Sequence, residues 1–122
     1  MSNAYEADLV SQAFVCDCDL SDYQYCPMEM NSDEEIILAS DAGDFMLGVL
    51  QNAPDDAGET ALVALEGITI AKGGASIDAG AKVQVGAGGT FITQTTGALA
   101  GIAVTSCGGA NQYFSLKIAR DS

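Results

Sequence analysis

The sequence predicts an all-β protein, a small β-barrel or β-sandwich of about seven to nine short strands led by an extended acidic N-terminal arm. Three observations carry this. Short apolar runs are separated by turn signals throughout; 14 glycines, two prolines and no tryptophan favour strands and turns over helix packing. Near the C-terminus, Phe114, Leu116 and Ile118 alternate with Ser115 and Lys117, the period of a strand with one buried face. Finally, a slide of 53 positions lays Gly48 on Gly101, Val49 on Ile102, Val63 on Leu116 and Leu65 on Ile118, so two segments call for the same local structure. A chain of 122 residues is one domain's length and can bury a core without metal or disulfide support.

Along the chain, residues 1–18 mix the apolar anchors Tyr5, Leu9, Val10, Phe14 and Val15 with acids and are read as the arm; residues 19–122 are read as the barrel. In DYQYCPMEM, Tyr23 and Tyr25 share one face of an extended segment, and Pro27 confines it to an edge or bulge because it has no N–H to donate. A turn at Asn31–Asp33 leads to its hairpin partner EEIILAS. Residues 41–44 turn the chain into FMLGVLQ, and Gly43 to Glu66 reads as two strands around the turn NAPDDAGE. Ile68 and Ile70 then give a further strand, stopped at Gly73 and Gly74. Val83 and Val85, the Gly86–Gly89 turn and the return through Phe91 and Ile92 form a hairpin. LAGIAVT and QYFSLKIA close the molecule.

The net charge of −13 is uneven: residues 1–44 hold eleven acids and no Lys or Arg, whereas residues 45–122 hold six acids against Lys72, Lys82, Lys117 and Arg120. Nucleic-acid affinity is built by cations that displace counterions from phosphates, so direct nucleic-acid binding is not expected. The acids of the first third belong to a solvated, self-repelling arm or to a surface that meets a basic partner. With no window of 18 apolar residues and no basic segment before an apolar one, no membrane contact is expected and the reading is soluble and intracellular.

Chemistry is sparse. The absence of histidine removes the commonest neutral general base and any Ser-His-Asp or Cys-His set. The carboxylate pairs Asp17 with Asp19, Glu34 with Glu35 and Asp55 with Asp56 read as solvated charges, and no enzyme is expected. Cys16, Cys18, Cys26 and Cys107 do not match the paired knuckles of a zinc site and read as free thiols; Asp17, Asp19 and Asp22 lack the glycine and terminal glutamate of a calcium loop. Gly86, Gly88 and Gly89 make a turn, not a phosphate loop. No cofactor or metal is expected. One function open to such a barrel is that of a cell-encoded carrier or small-ligand-binding module with FMLGVLQ lining a pocket.

In order, DLSDYQYCPMEM, GDFMLGVLQNAP, AGETALVALEGITIAKGGASIDAGAKVQV and GALAGIAVTS resemble the small capsid decoration, or cement, proteins of tailed bacteriophages over roughly residues 19–118. The likeness lies in the succession of short motifs, among them the Ile77, Gly80, Val83 hairpin. The acidic CDCD element and the final strand QYFSLKI depart from the pattern. The resemblance implies a non-enzymatic virion protein on the outer surface of an expanded icosahedral head. Its partner would be the major capsid protein, it would bind as a homotrimer at local threefold positions, and it would stabilise the shell against internal DNA pressure. Tyr5, Leu9, Val10 and Phe14 of the arm are the expected capsid contacts, with packing on the chain's own barrel as the competing use.

Overall fold

The structure, a computed structural model, describes residue 4 and residues 6–119. It is all-β, with nine strands: β1 (Ala7–Cys16), β2 (Pro27–Met30), β3 (Glu35–Leu38), β4 (Gly48–Leu50), β5 (Thr60–Lys72), β6 (Lys82–Gly86), β7 (Thr90–Thr93), β8 (Gly101–Ala103) and β9 (Tyr113–Ile118). They lie in one sheet of order β1-β3-β2-β4-β5-β9-β8-β6-β7 that closes on itself twice. An antiparallel β1–β5 pairing closes the first five strands into a small barrel. A bridge between Gly73 and Phe91 brings β7 back to the end of β5 and closes the second ring. Closure removes most of the exposed strand edges that an open sheet would leave.

The 13-residue β5 is therefore the last strand of one barrel and the first of the next. The sequence divided it into two strands, one ending at Glu66 and one through Ile68 and Ile70. The correction has a local cause: Gly67 holds φ 101 inside a continuous strand. Together with register shifts against β1 between Ala7 and Ser11, it re-aims the side chains without a turn. Ala61 and Val63 point into one barrel, and Ala71 into the other. A second correction concerns Tyr23 and Tyr25, which lie in turns rather than on a strand face; Tyr25 takes φ 70. Pro27 opens β2, where its missing N–H costs no ladder bond.

The echo seen at an offset of 53 is the tail of a complete internal repeat. In the first barrel Val49 faces Ala64 and Leu50 faces Val63; in the second, Ile102 faces Lys117 and Ala103 faces Leu116. The hairpins match at an offset of 55: Met28 opposite Leu38 and Met30 opposite Ile36 correspond to Val83 opposite Thr93 and Val85 opposite Phe91. The first strands match at 57, since Val15 opposite Thr60 corresponds to Lys72 opposite Tyr113. Loop hydrogen bonds repeat too: Leu20 N–H to Pro54 O and Cys26 N–H to Tyr23 O correspond to Ile77 N–H to Cys107 O and Ala81 N–H to Asp78 O. Among the described residues, the three non-glycine residues at positive φ, Tyr25, Glu34 and Asn111, correspond to Gly80, Gly89 and Gly58, which are also left-handed. That coincidence is what a shared backbone path requires.

Two cores follow from two rings. The smaller holds Cys16, Leu20, Cys26, Met28, Ile36, Leu50, Ala61 and Val63. The larger is built around Phe91 and Phe114, which meet edge to face at 6.2 Å, with Ile77, Val83, Val85 and Leu116. Burial of each such side chain contributes about 1.5–3 kcal/mol. Val49 and Ala64 lie on the wall of the first barrel yet belong to the second core, which joins the two. The buried Gln84 adds a polar clamp: its Oε1 accepts from Thr95 N–H at 2.8 Å and Gly97 N–H at 3.0 Å, tying the loop after β7 to β6.

Candidate interaction surface

β1 is held on one side by β5, and on the other only Val15 and Cys16 meet β3. From Ala7 to Phe14 its outer edge pairs with no strand among the described residues. Such an edge presents N–H and C=O groups ready to accept an added strand. Its side chains divide by direction. Leu9 packs on the larger core and Phe14 on the smaller, while Val10 is 52% exposed. Tyr5 lies outside the described residues. Of the capsid contacts named from sequence, two are thus used internally and Val10 is presented to solvent.

Val15, at 46% exposure, and Leu62, directly opposite Ala13, extend this apolar surface across the β1–β5 ribbon. The sequence places Val15 among the apolar anchors but not among the expected capsid contacts, and it does not single out Leu62. Simple alternation would put Val10 with Phe14 and Leu9 with Ala13 and Val15; the irregular register between Ala7 and Ser11 breaks it, so Leu9 and Phe14 both pack inward while Val10, Ala13 and Val15 are all exposed.

Charge divides by barrel. Through Glu66 the chain carries 15 acids and no Lys or Arg, so the acids cover the whole first barrel and not an arm alone. Between residues 67 and 119 only Asp78 stands against Lys72, Lys82 and Lys117. Glu29 on β2 is raised above the usual carboxylate range, first by desolvation and then by Asp44 and Asp41. Asp19 is lowered by hydrogen bonds from Ser21, whose N–H donates at 2.9 Å.

The remaining chemical candidates resolve into structure. Asp55, Asp56 and Glu59 bring carboxylates within 4.8 Å of one another, all exposed. Glu59 Oε1 accepts from Asp55 N–H at 2.9 Å and Asp56 N–H at 3.3 Å, so its carboxylate closes the turn into β5. The thiols are dispersed: Cys16 and Cys26 in the smaller core, Cys107 in the larger and Cys18 exposed. Cys16 Sγ donates to Asp56 O at 3.1 Å, and burial pushes the Cys26 thiol up to about 11. The run FMLGVLQ spends Met46, Val49 and Leu50 on the two cores, which leaves them unavailable to line a pocket.

No curated protein matches the chain. A protein-family model described as phage cement protein matches residues 28–118, from the second residue of β2 to the end of β9. The match takes in most of both barrels and well over half of the chain, which belongs to the phage cement protein family and so to the structural components of phage capsids.

Proposed function

We propose that the protein binds the exterior of an expanded icosahedral phage head, as a homotrimer at local threefold positions, and stabilises the shell against internal DNA pressure. The major capsid protein is the partner. The observation that carries the reading is the open outer edge of β1 beside exposed Val10 and Val15, in a family whose members are capsid components. A protein at −13 is repelled by packaged DNA, but it can occupy an outer surface through an apolar contact or basic shell residues. Each contact is small, and a trimer touching several shell subunits gains affinity through effective concentration.

The test is co-sedimentation with expanded and unexpanded capsids of the parent phage. Wild type should bind the expanded form and raise the temperature at which the shell breaks. Val10→Glu with Val15→Glu should bind on the order of tenfold more weakly or worse while its own melting temperature stays close to wild type. Deleting the segment is the poorer test, because Cys16 is fully buried and Phe14 packs on the smaller core. Failure of wild type to bind either capsid form would overturn the reading.

A further inference from the structure

The repeat pairs every face of one barrel with a face of the other, and one such pair differs in a telling way. Across the first barrel, Pro27 lies opposite Val49, Val49 opposite Ala64 and Ala64 opposite Ser11. In-register neighbours point to the same side of a sheet, so these residues form one row. Val49 and Ala64 are fully buried and belong to the second core. The centre of this row, Val49 and Ala64, is the face on which the second barrel packs, while Ser11 at its end is exposed.

The equivalent row in the second barrel is Lys82, Ile102, Lys117 and Ile68, each opposite the next. Here Lys82 and Lys117 are exposed and Ile102 is 36% exposed. The glycine beside the central residue is retained: a Cβ on Gly48 would meet Ala64 O and one on Gly101 would meet Lys117 O, so the strands approach equally closely in both barrels. The apolar centre is also retained, Val49 becoming Ile102, while Pro27 and Ala64 become lysines. A face that accepts a barrel within the chain thus recurs at its far end with an apolar centre between two cations. Its occupant must bring acids and some exposed apolar surface.

The chain carries such a surface. Residues 17–66 contain 13 acids and no Lys or Arg, and Val15 and Leu62 are exposed beside them. We propose that the Lys82–Ile102–Lys117 face of one copy docks on the acidic first barrel of a second copy, in a head-to-tail contact. Such a contact joins two different surfaces, so it closes into a ring or runs on as a chain of copies. It gives the assembly proposed above its contact, and it rests on that reading only in requiring copies to meet.

Sedimentation velocity over a concentration series, at low and at physiological ionic strength, tests it on the full chain. Wild type should associate, and more weakly as salt rises. Lys82→Glu with Lys117→Glu should weaken association on the order of tenfold or more. Lys82→Gln with Lys117→Gln should fall between, with melting temperatures close to wild type for both pairs. Zero-length carbodiimide coupling should join Lys82 or Lys117 to an acid within residues 17–66 of another copy, in solution and on decorated capsids. A wild type that stays monomeric and yields no such cross-link in either setting overturns the inference, as does association untouched by charge reversal. Capsid binding by a protein that never self-associates would refute this contact and the trimer but leave capsid binding standing; self-association without capsid binding would refute the cement reading alone.

Discussion

Placing a methyl group at Gly48 tests the repeat where it is tightest. A Cβ built there stands 2.1 Å from Ala64 O and 2.7 Å from Val63 Cγ1, where ordinary contact begins at 3.4 Å. The obstacle is backbone carbonyl, so no rotamer change relieves it, and β4 must move from β5 by on the order of 1 Å. β4 has only three residues, and Val49 and Leu50 anchor different cores, so the displacement disturbs both. Overpacking typically costs about 1–3 kcal/mol, and a forced backbone shift places Gly48→Ala near the top, about 3 kcal/mol. For a domain of this size that corresponds to a fall of roughly 10–15 °C in melting temperature. Gly101→Ala, whose Cβ would stand 2.2 Å from Lys117 O, should match it. Gly109→Ala is the control, since a Cβ there meets nothing within 4 Å and its φ is not left-handed; it should stay within about 0.5 kcal/mol of wild type. Urea titration of the three variants decides the matter. A Gly48→Ala protein as stable as Gly109→Ala would refute both the close approach and the equivalence argued from it.

Other outcomes follow from single residues. Phe114→Ala removes a fully buried ring that meets Phe91 edge to face and should cost about 3–5 kcal/mol in urea unfolding. Gln84→Leu strands the N–H groups of Thr95 and Gly97 and should cost about 1–3 kcal/mol, with faster amide exchange at those two loop positions than in wild type while β6 and β7 are little changed. Glu34→Gly relaxes an exposed residue at φ 65 whose counterpart Gly89 is already glycine, and should stabilise by about 0.5–1 kcal/mol. Cys26 is raised from 9.0 to about 11 by burial. Its contribution is therefore complete below pH 9 and is lost as pH climbs through the folded value, so stability measured by urea should fall between about pH 9 and 11, and less so in Cys26→Ala. In the folded protein at neutral pH, iodoacetamide should modify exposed Cys18 well before the three buried thiols, read by peptide mass.

Composition and period determined the class of this fold and most of its strands. Alternation over Tyr113–Ile118, the glycine turn between Val85 and Phe91 and the paired runs at Gly48 and Gly101 are local signals, and local signals survive in a sequence because each strand must bury one face. The repeat was visible only in its last part for a countable reason: its offset steps from 57 to 55 to 53 as two loops of the second unit shorten, so one slide aligns only β4 and β5 with β8 and β9. Side-chain direction in β1 and the continuity of β5 were decided by tertiary structure. Gly67 reads as a break in sequence, and it is hydrogen bonding on both edges of β5 that keeps the strand whole. Which apolar residues of β1 face outward was decided in the same way, since whether Leu9, Val10 or Phe14 meets solvent depends on a register shift that pairing alone creates. The same holds for charge: the acid-rich first half is plain in the sequence, but that it forms one of two equivalent barrels, opposite an almost acid-free twin, exists only once β5 is shared between them.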